Sequence, residues 1–355
     1  MNHRRLKTLL RATFCMVAGL SFAHAAFAGS KGVAYVSNQA GGVTVIDLET
    51  FEPKAGVDIG AKGPRGIGVT GDGKWLVTAN KDSNNISVVD TSGATAARFV
   101  TIGNNPESIR VLGDIAFVTY TASAKSGPPS TSAAKKGADD GEGKPAVHIA
   151  VVDIKQAKVL QEIIGKPEAE GLEFSSDGKE LFITNESDNS ITVHDIKSGK
   201  LLKSIPVGKY GNRPRGIKMS PDGKMIVITL EYADKMLVLN DKFEVIKEVA
   251  TGKVPVGVSF DRKGERIFVA ANKEKALQVF DAKTFKKIKD IPTGERCWHF
   301  SFTPDDQRIL LACGKSSEIV VVDVNSFEVI KRISDKDTPW GIVTYPKSMG
   351  SLDTP

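Results

Sequence analysis

The chain has 355 residues, 41% hydrophobic and 25% charged, with a formal net charge of +6. Arg4, Arg5, Lys7 and Arg11 lie within residues 1–28, which hold no acid, so the remainder is close to +2 and gives no electrostatic reason to bind nucleic acid. Three cysteines exclude a disulfide-framework protein, and three scattered histidines after residue 28 (His148, His194, His299) argue against a dedicated metal site.

In chain order, the first element is an address. A basic start, an apolar stretch and the small-x-small sequence Ala26-Phe27-Ala28 predict a secretory signal peptide over 1–28, hence a periplasmic protein. Cys15 falls inside it. No later segment approaches the ~20 apolar residues of a membrane helix, so no span is expected after cleavage. Residues 29–355 are expected to form one monomeric domain.

From residue 33 onward the sequence repeats. A valine-rich run ending in Asp or Asn recurs seven times, from Val43-Thr44-Val45-Ile46-Asp47 to Ile319-Val320-Val321-Val322-Asp323. In phase with it runs an opener, Pro-x-Gly at 64–66, 214–216, 255–257 and 339–341, with looser forms at 106–108 and 167–171. Asp-Gly turns such as Asp72-Gly73 and Asp222-Gly223 separate the following two strands. Four antiparallel strands per ~42 residues make a propeller blade. The chain starts on a second strand (33–38) and ends on an unpaired first strand (340–345), so these two pieces should pair and close an all-β, seven-bladed ring. The aspartates that end the third strands (Asp47, Asp90, Asp153, Asp195, Asp281, Asp323) are read as acceptors for turn N–H groups.

One interval between openers is about 21 residues too long. The surplus falls at 121–145, rich in Ser, Ala, Gly, Lys and Pro, and predicts a flexible insertion between the second and third strands of blade two.

First strands line the central channel, so opener residues should ring its mouth. They read Arg65, Glu107, Glu170 (with Glu168), Arg215, Val256, Trp298 and Trp340, with Arg213 and Arg296 adjacent. Such a ring suits an anionic, partly aromatic ligand, or it closes the channel by pairing internally. Blade six departs furthest, with Cys297-Trp298-His299 replacing Pro-x-Gly. His299 is either a proton shuttle, metal or haem ligand, or a packed side chain; His194 is read as packing. Cys297 and Cys313 lie one residue out of register in a regular hairpin. That places their sulfurs on opposite faces, unless one bulge residue brings them together as a disulfide. Both outcomes remain open from sequence.

Tyr35-Val36-Ser37-Asn38, Phe182-Ile183-Thr184-Asn185 and the Val-x-Val-Ile-Asp runs resemble YVTN-type propeller repeats. With the ending Pro339-Trp340-Gly341-Ile342-Val343-Thr344-Tyr345-Pro346-Lys347, the chain is similar to the PQQ-dependent catabolism-associated β-propeller proteins. That resemblance implies a non-catalytic binding or accessory propeller serving a quinoprotein alcohol-oxidation system. The sites would be Arg65, Glu107, Glu170, Arg213, Arg215, Arg296, Trp298, His299 and Trp340. Related propellers imply two alternatives: a lactonase using Glu107, Glu170, Arg215 and His299, and a tetrapyrrole-binding propeller with His299 as axial ligand.

Overall fold

The structure, a computed structural model, describes residues 31–122 and 145–355. The expected signal peptide lies outside these residues, as does the expected insertion apart from its ends. Seven four-stranded antiparallel sheets follow one another around a ring. Blade one is Pro64–Val69, Trp75–Asn80, Asn85–Asp90 and Arg98–Thr101. The last strand of the chain, Pro339–Tyr345, pairs with Val33–Asn38, whose sheet continues through Val43–Asp47 and Pro53–Val57. The ring is therefore closed by the two ends of the repeat, as the orphan first strand required.

Burial falls from the axis outward. First and second strands such as Pro255–Phe260 and Arg308–Cys313 are buried along their full length, whereas fourth strands such as Leu201–Pro206 are exposed along most of theirs. Central strands consequently read as continuous apolar runs, and the outer ones carry lysines, which discourage edge-to-edge pairing. Aromatic rings stitch neighbouring blades edge to face, as in Phe268–Phe302 (centroids 5.1 Å) and Phe117–Phe174 (5.0 Å). The third-strand aspartates do cap turns. Asp47 accepts N–H groups of Glu49 and Thr50 at 2.9 and 3.0 Å, and Asp195 that of Ser198 at 2.7 Å. Among the described residues no helix is long and apolar enough to cross a membrane.

The opener glycines have a tertiary reason. A Cβ at Gly66, Gly171, Gly216, Gly257 or Gly341 would fall within 3 Å of the backbone carbonyl oxygen of x in the next blade: Glu107, Arg215, Val256, Trp298 and Arg65 respectively. Hydroxyls of the second strands bind that same carbonyl. Thr184 donates to Arg215 O at 2.6 Å and Thr229 to Val256 O at 2.8 Å, while each accepts the N–H of its own blade's glycine at 2.9 Å. Blade is thus joined to blade by backbone contact at the channel wall.

Candidate ligand site at the channel mouth

Two backbone devices aim side chains into the mouth. The residue before each opener has positive φ: Gly63, Asn105, Glu168, Arg213, Val254, Arg296 and Thr338 lie between 50° and 69°. Six are not glycine, and left-handed backbone at such residues costs on the order of 1–3 kcal/mol; here the blade junction imposes it. Next comes a bulge. The register between first and second strands shifts by one residue within the opener in six blades, as between Pro64 and Ile67 or Pro214 and Ile217. The x residue is left without a ladder partner and is free to face the axis.

The same bulge settles the cysteines. Cys297 pairs directly with Cys313, the register shift falling between Cys297 and His299, and the two form a disulfide.

The mouth holds a cavity of about 610 Å³ lined in part by Arg65, Glu107, Arg215, Glu231, Trp298 and Trp340. A second cavity of about 330 Å³, sharing Glu107, reaches Glu168, Glu170, Glu186 and Arg213. The walls differ in character. On blades one to four, Arg65 pairs with Glu107, and Arg213 and Arg215 are threaded through three glutamates. Arg213 contacts Glu186 and lies 3.1 Å from Glu231; Arg215 lies 2.9 Å from Glu231, 3.4 Å from Glu186 and 3.5 Å from Glu170. On blades five and six, Arg296 stacks over Trp298 at 4.7 Å with no carboxylate partner among the described residues, and Lys273 lines the same cavity. Trp298 and Trp340 are tilted neighbours, centroids 6.4 Å apart, both largely buried where they line the cavity.

Three carboxylates around two guanidiniums leave an excess of negative charge out of bulk water. Burial pushes Glu186 up to about 7 against the pull of Arg215 and Arg213. Burial and then Glu107 raise Glu170 well above its ordinary value. Arg215, flanked by Glu170, Glu186 and Glu231, is held cationic throughout.

His299 requires a correction. It does not line the mouth cavity. It lies beneath it, ring centroid 4.5 Å from that of Trp340, Nδ1 3.2 Å from Ser351 Oγ, against a void of about 30 Å³. Burial, and then Arg215, depress it to about 3, so the imidazole is neutral. A void that admits about one water has no room for a macrocycle, so His299 does not fit an axial haem ligand. His194 is packed, 2% exposed. Glu186 and Glu231 escaped the sequence reading. Each follows its second strand directly, in the column Gln39, Lys81, Thr121, Glu186, Glu231, Asn272, Gly314, and that change to acid in two adjacent blades is the available signal.

A seven-bladed propeller with a charged cavity at its channel mouth is the class that fold and site define. Comparison with known proteins narrows this in one segment. The model of the family described as "Lactonase, 7-bladed beta-propeller" matches residues 147–240, the stretch that holds Glu170, Glu186, Arg213, Arg215 and Glu231. No curated protein sequence matches. Among solved structures, a putative 6-phosphogluconolactonase from Bacteroides uniformis aligns with TM-score 0.70 and 16% identity, over 88% of this chain and 99% of that one. Hydrazine synthase of Kuenenia stuttgartiensis aligns with TM-score 0.69 and 19% identity, over 84% and 96%. The dihydro-heme d1 dehydrogenase NirN, in complex with DHE, aligns with TM-score 0.63 and 17% identity, over 88% and 74%. At these identities the likeness is one of fold.

Proposed function

We propose that this chain is an exported hydrolase that opens a small anionic lactone at the channel mouth. The observation that carries the reading is the set of two raised carboxyls, Glu186 and Glu170, interleaved with Arg213 and Arg215 on a cavity wall. It lies within the segment matched by the lactonase family model. The sequence-based expectation of an accessory role beside a quinoprotein dehydrogenase has no comparable support in the geometry.

The chemistry follows from the two raised carboxyls and the arginines between them. Ionised Glu186 takes a proton from a water as its oxygen attacks the lactone carbonyl carbon. The N–H groups of Arg213 and Arg215 hold the oxyanion that develops. The ring C–O bond then breaks, and its alkoxide takes the proton of Glu170, giving the hydroxy acid. Proton exchange with solvent restores both carboxyls. Arg296 and Lys273, on the opposite wall, attract the substrate's anionic group.

The test is hydrolysis of a panel of γ- and δ-lactones, with and without anionic substituents, by purified protein. Turnover lost on Glu186→Gln by 100-fold or more, the usual scale for general base catalysis, supports the reading. No hydrolysis across the panel removes it.

A further inference from the structure

Below the mouth the channel is filled by the chain itself. After Pro339–Tyr345, residues 346–353 turn back up the axis along the innermost strand of blade six. Met349 O accepts the N–H of Phe302 at 2.8 Å, and Ser351 N–H donates to Phe300 O at 2.9 Å. Ser348, Met349, Leu352 and Asp353 are buried, Leu352 in the apolar cluster that contains Val256, Trp298 and Trp340.

The wall is shaped for this occupant. Two residues past each opener glycine position, the first-strand column reads Gly68, Arg110, Glu173, Lys218, Ser259, Ser301, Val343. It is charged on three adjacent blades and small on the next two, and the segment runs along the small side. Blades five and six also lack the second-strand hydroxyl that joins blades three and four to their neighbours, having Ala270 and Ala312 where those have Thr184 and Thr229. On that side Ser351 Oγ accepts the N–H of Phe300 at 3.0 Å. A Cβ at Gly350 would come within about 3.0 Å of Phe300 O and Ser301 Oγ. On the charged side, Arg110 pairs with Glu173 at 2.5 Å. Lys218, wholly buried, donates to Asp353 O at 2.7 Å and lies 3.4 Å from Glu173, while Lys347 pairs with Asp353 at 2.9 Å. Arg110 and Lys218 share the single carboxylate Glu173; burial lowers Lys218 to about 7, and the Asp353 carbonyl supplies a further acceptor to a buried donor that would be costly to leave unpaired.

We propose that the lower channel is a recognition site for an extended acidic peptide segment with glycine at its point of closest approach, occupied in cis by residues 348–353. The site reads backbone through Phe300, Phe302 and Lys218, the acid through the nearby charge of Arg110, and small size through Ser301. It does not depend on hydrolysis at the mouth.

Hydrogen exchange on the full chain tests this. In the wild type, the Ser351 and Phe302 amides should be protected like those of the neighbouring core strands; Ser351 exchanging at the rate of an unstructured peptide overturns the proposal. In full-length Gly350→Val, Phe302 protection should fall at least tenfold. A synthetic acetylated peptide with the sequence of residues 348–355 should then restore it and change Trp298 fluorescence, whereas the same peptide carrying Asp353→Lys should not. Unchanged protection in Gly350→Val, failure of the peptide to restore it, or equal restoration by the lysine peptide each overturns the proposal.

Discussion

Glu186 shows how one residue's chemistry depends on what surrounds it. Nothing about a glutamate after Asn185 is unusual until two arginines and two further carboxyls converge on it. If it is the base, hydrolysis must rise with pH through about 7, and Glu186→Gln should remove that rise. A rate profile between pH 5 and 9 checks this. Folding stability carries the opposite sign. An acid whose folded pKa lies above its ordinary value binds protons more tightly when folded, so its contribution declines as pH rises from about 4.5 to about 7 and is flat above. Arg215→Met should then cost about 3–5 kcal/mol at pH 8, the scale for breaking one side of a buried ion pair. It should cost less at pH 5, where protonated glutamates no longer need the cation; denaturant titrations at the two pH values read the difference.

At the scale of the strand, the opener does several things in few residues. A left-handed residue turns the chain in, the bulge frees x for the channel, and glycine lets the next blade's carbonyl approach. The motif itself was plain in the sequence. The bulge was legible only as an option at Cys297, because register belongs to a pair of strands and not to either one. The disulfide it permits closes a loop with a sequence separation of 16. Chain-entropy reasoning makes such a loop worth about 3 kcal/mol. Cys297→Ala with Cys313→Ala should therefore lower stability by roughly that amount, and a thiol count on the denatured, unreduced processed chain should find no free thiol at either position. Two free thiols there would overturn the assignment.

At the scale of the molecule, closure and occupation of the channel are joined. The strand Pro339–Tyr345 completes the blade begun at Val33, and the residues after it fill the axis. Truncation after Lys336 removes both. It should leave open strand edges and bare apolar blade faces, giving protein that is insoluble or lacks a cooperative melt. A truncated chain that melts like the full one would mean the ring closes another way.

The sequence by itself determined the repeat, the number of blades, their strand order and the closure of the ring. Each rests on local signals recurring at a fixed period: valine-rich runs ending in Asp or Asn, Asp-Gly turns, a glycine column. It also brought Arg65, Glu107, Glu170, Arg213, Arg215, Arg296, Trp298 and Trp340 to one rim, because a column in a repeat is a ring in space. Only the tertiary structure decided what those residues do together. Glu186 and Glu231 join the arginines from a different column, His299 is withdrawn beneath Trp340, and Lys218, paired with Glu173, meets Asp353 across the axis. Such contacts link residues far apart in sequence and carry no period, so no reading along the chain could pair them.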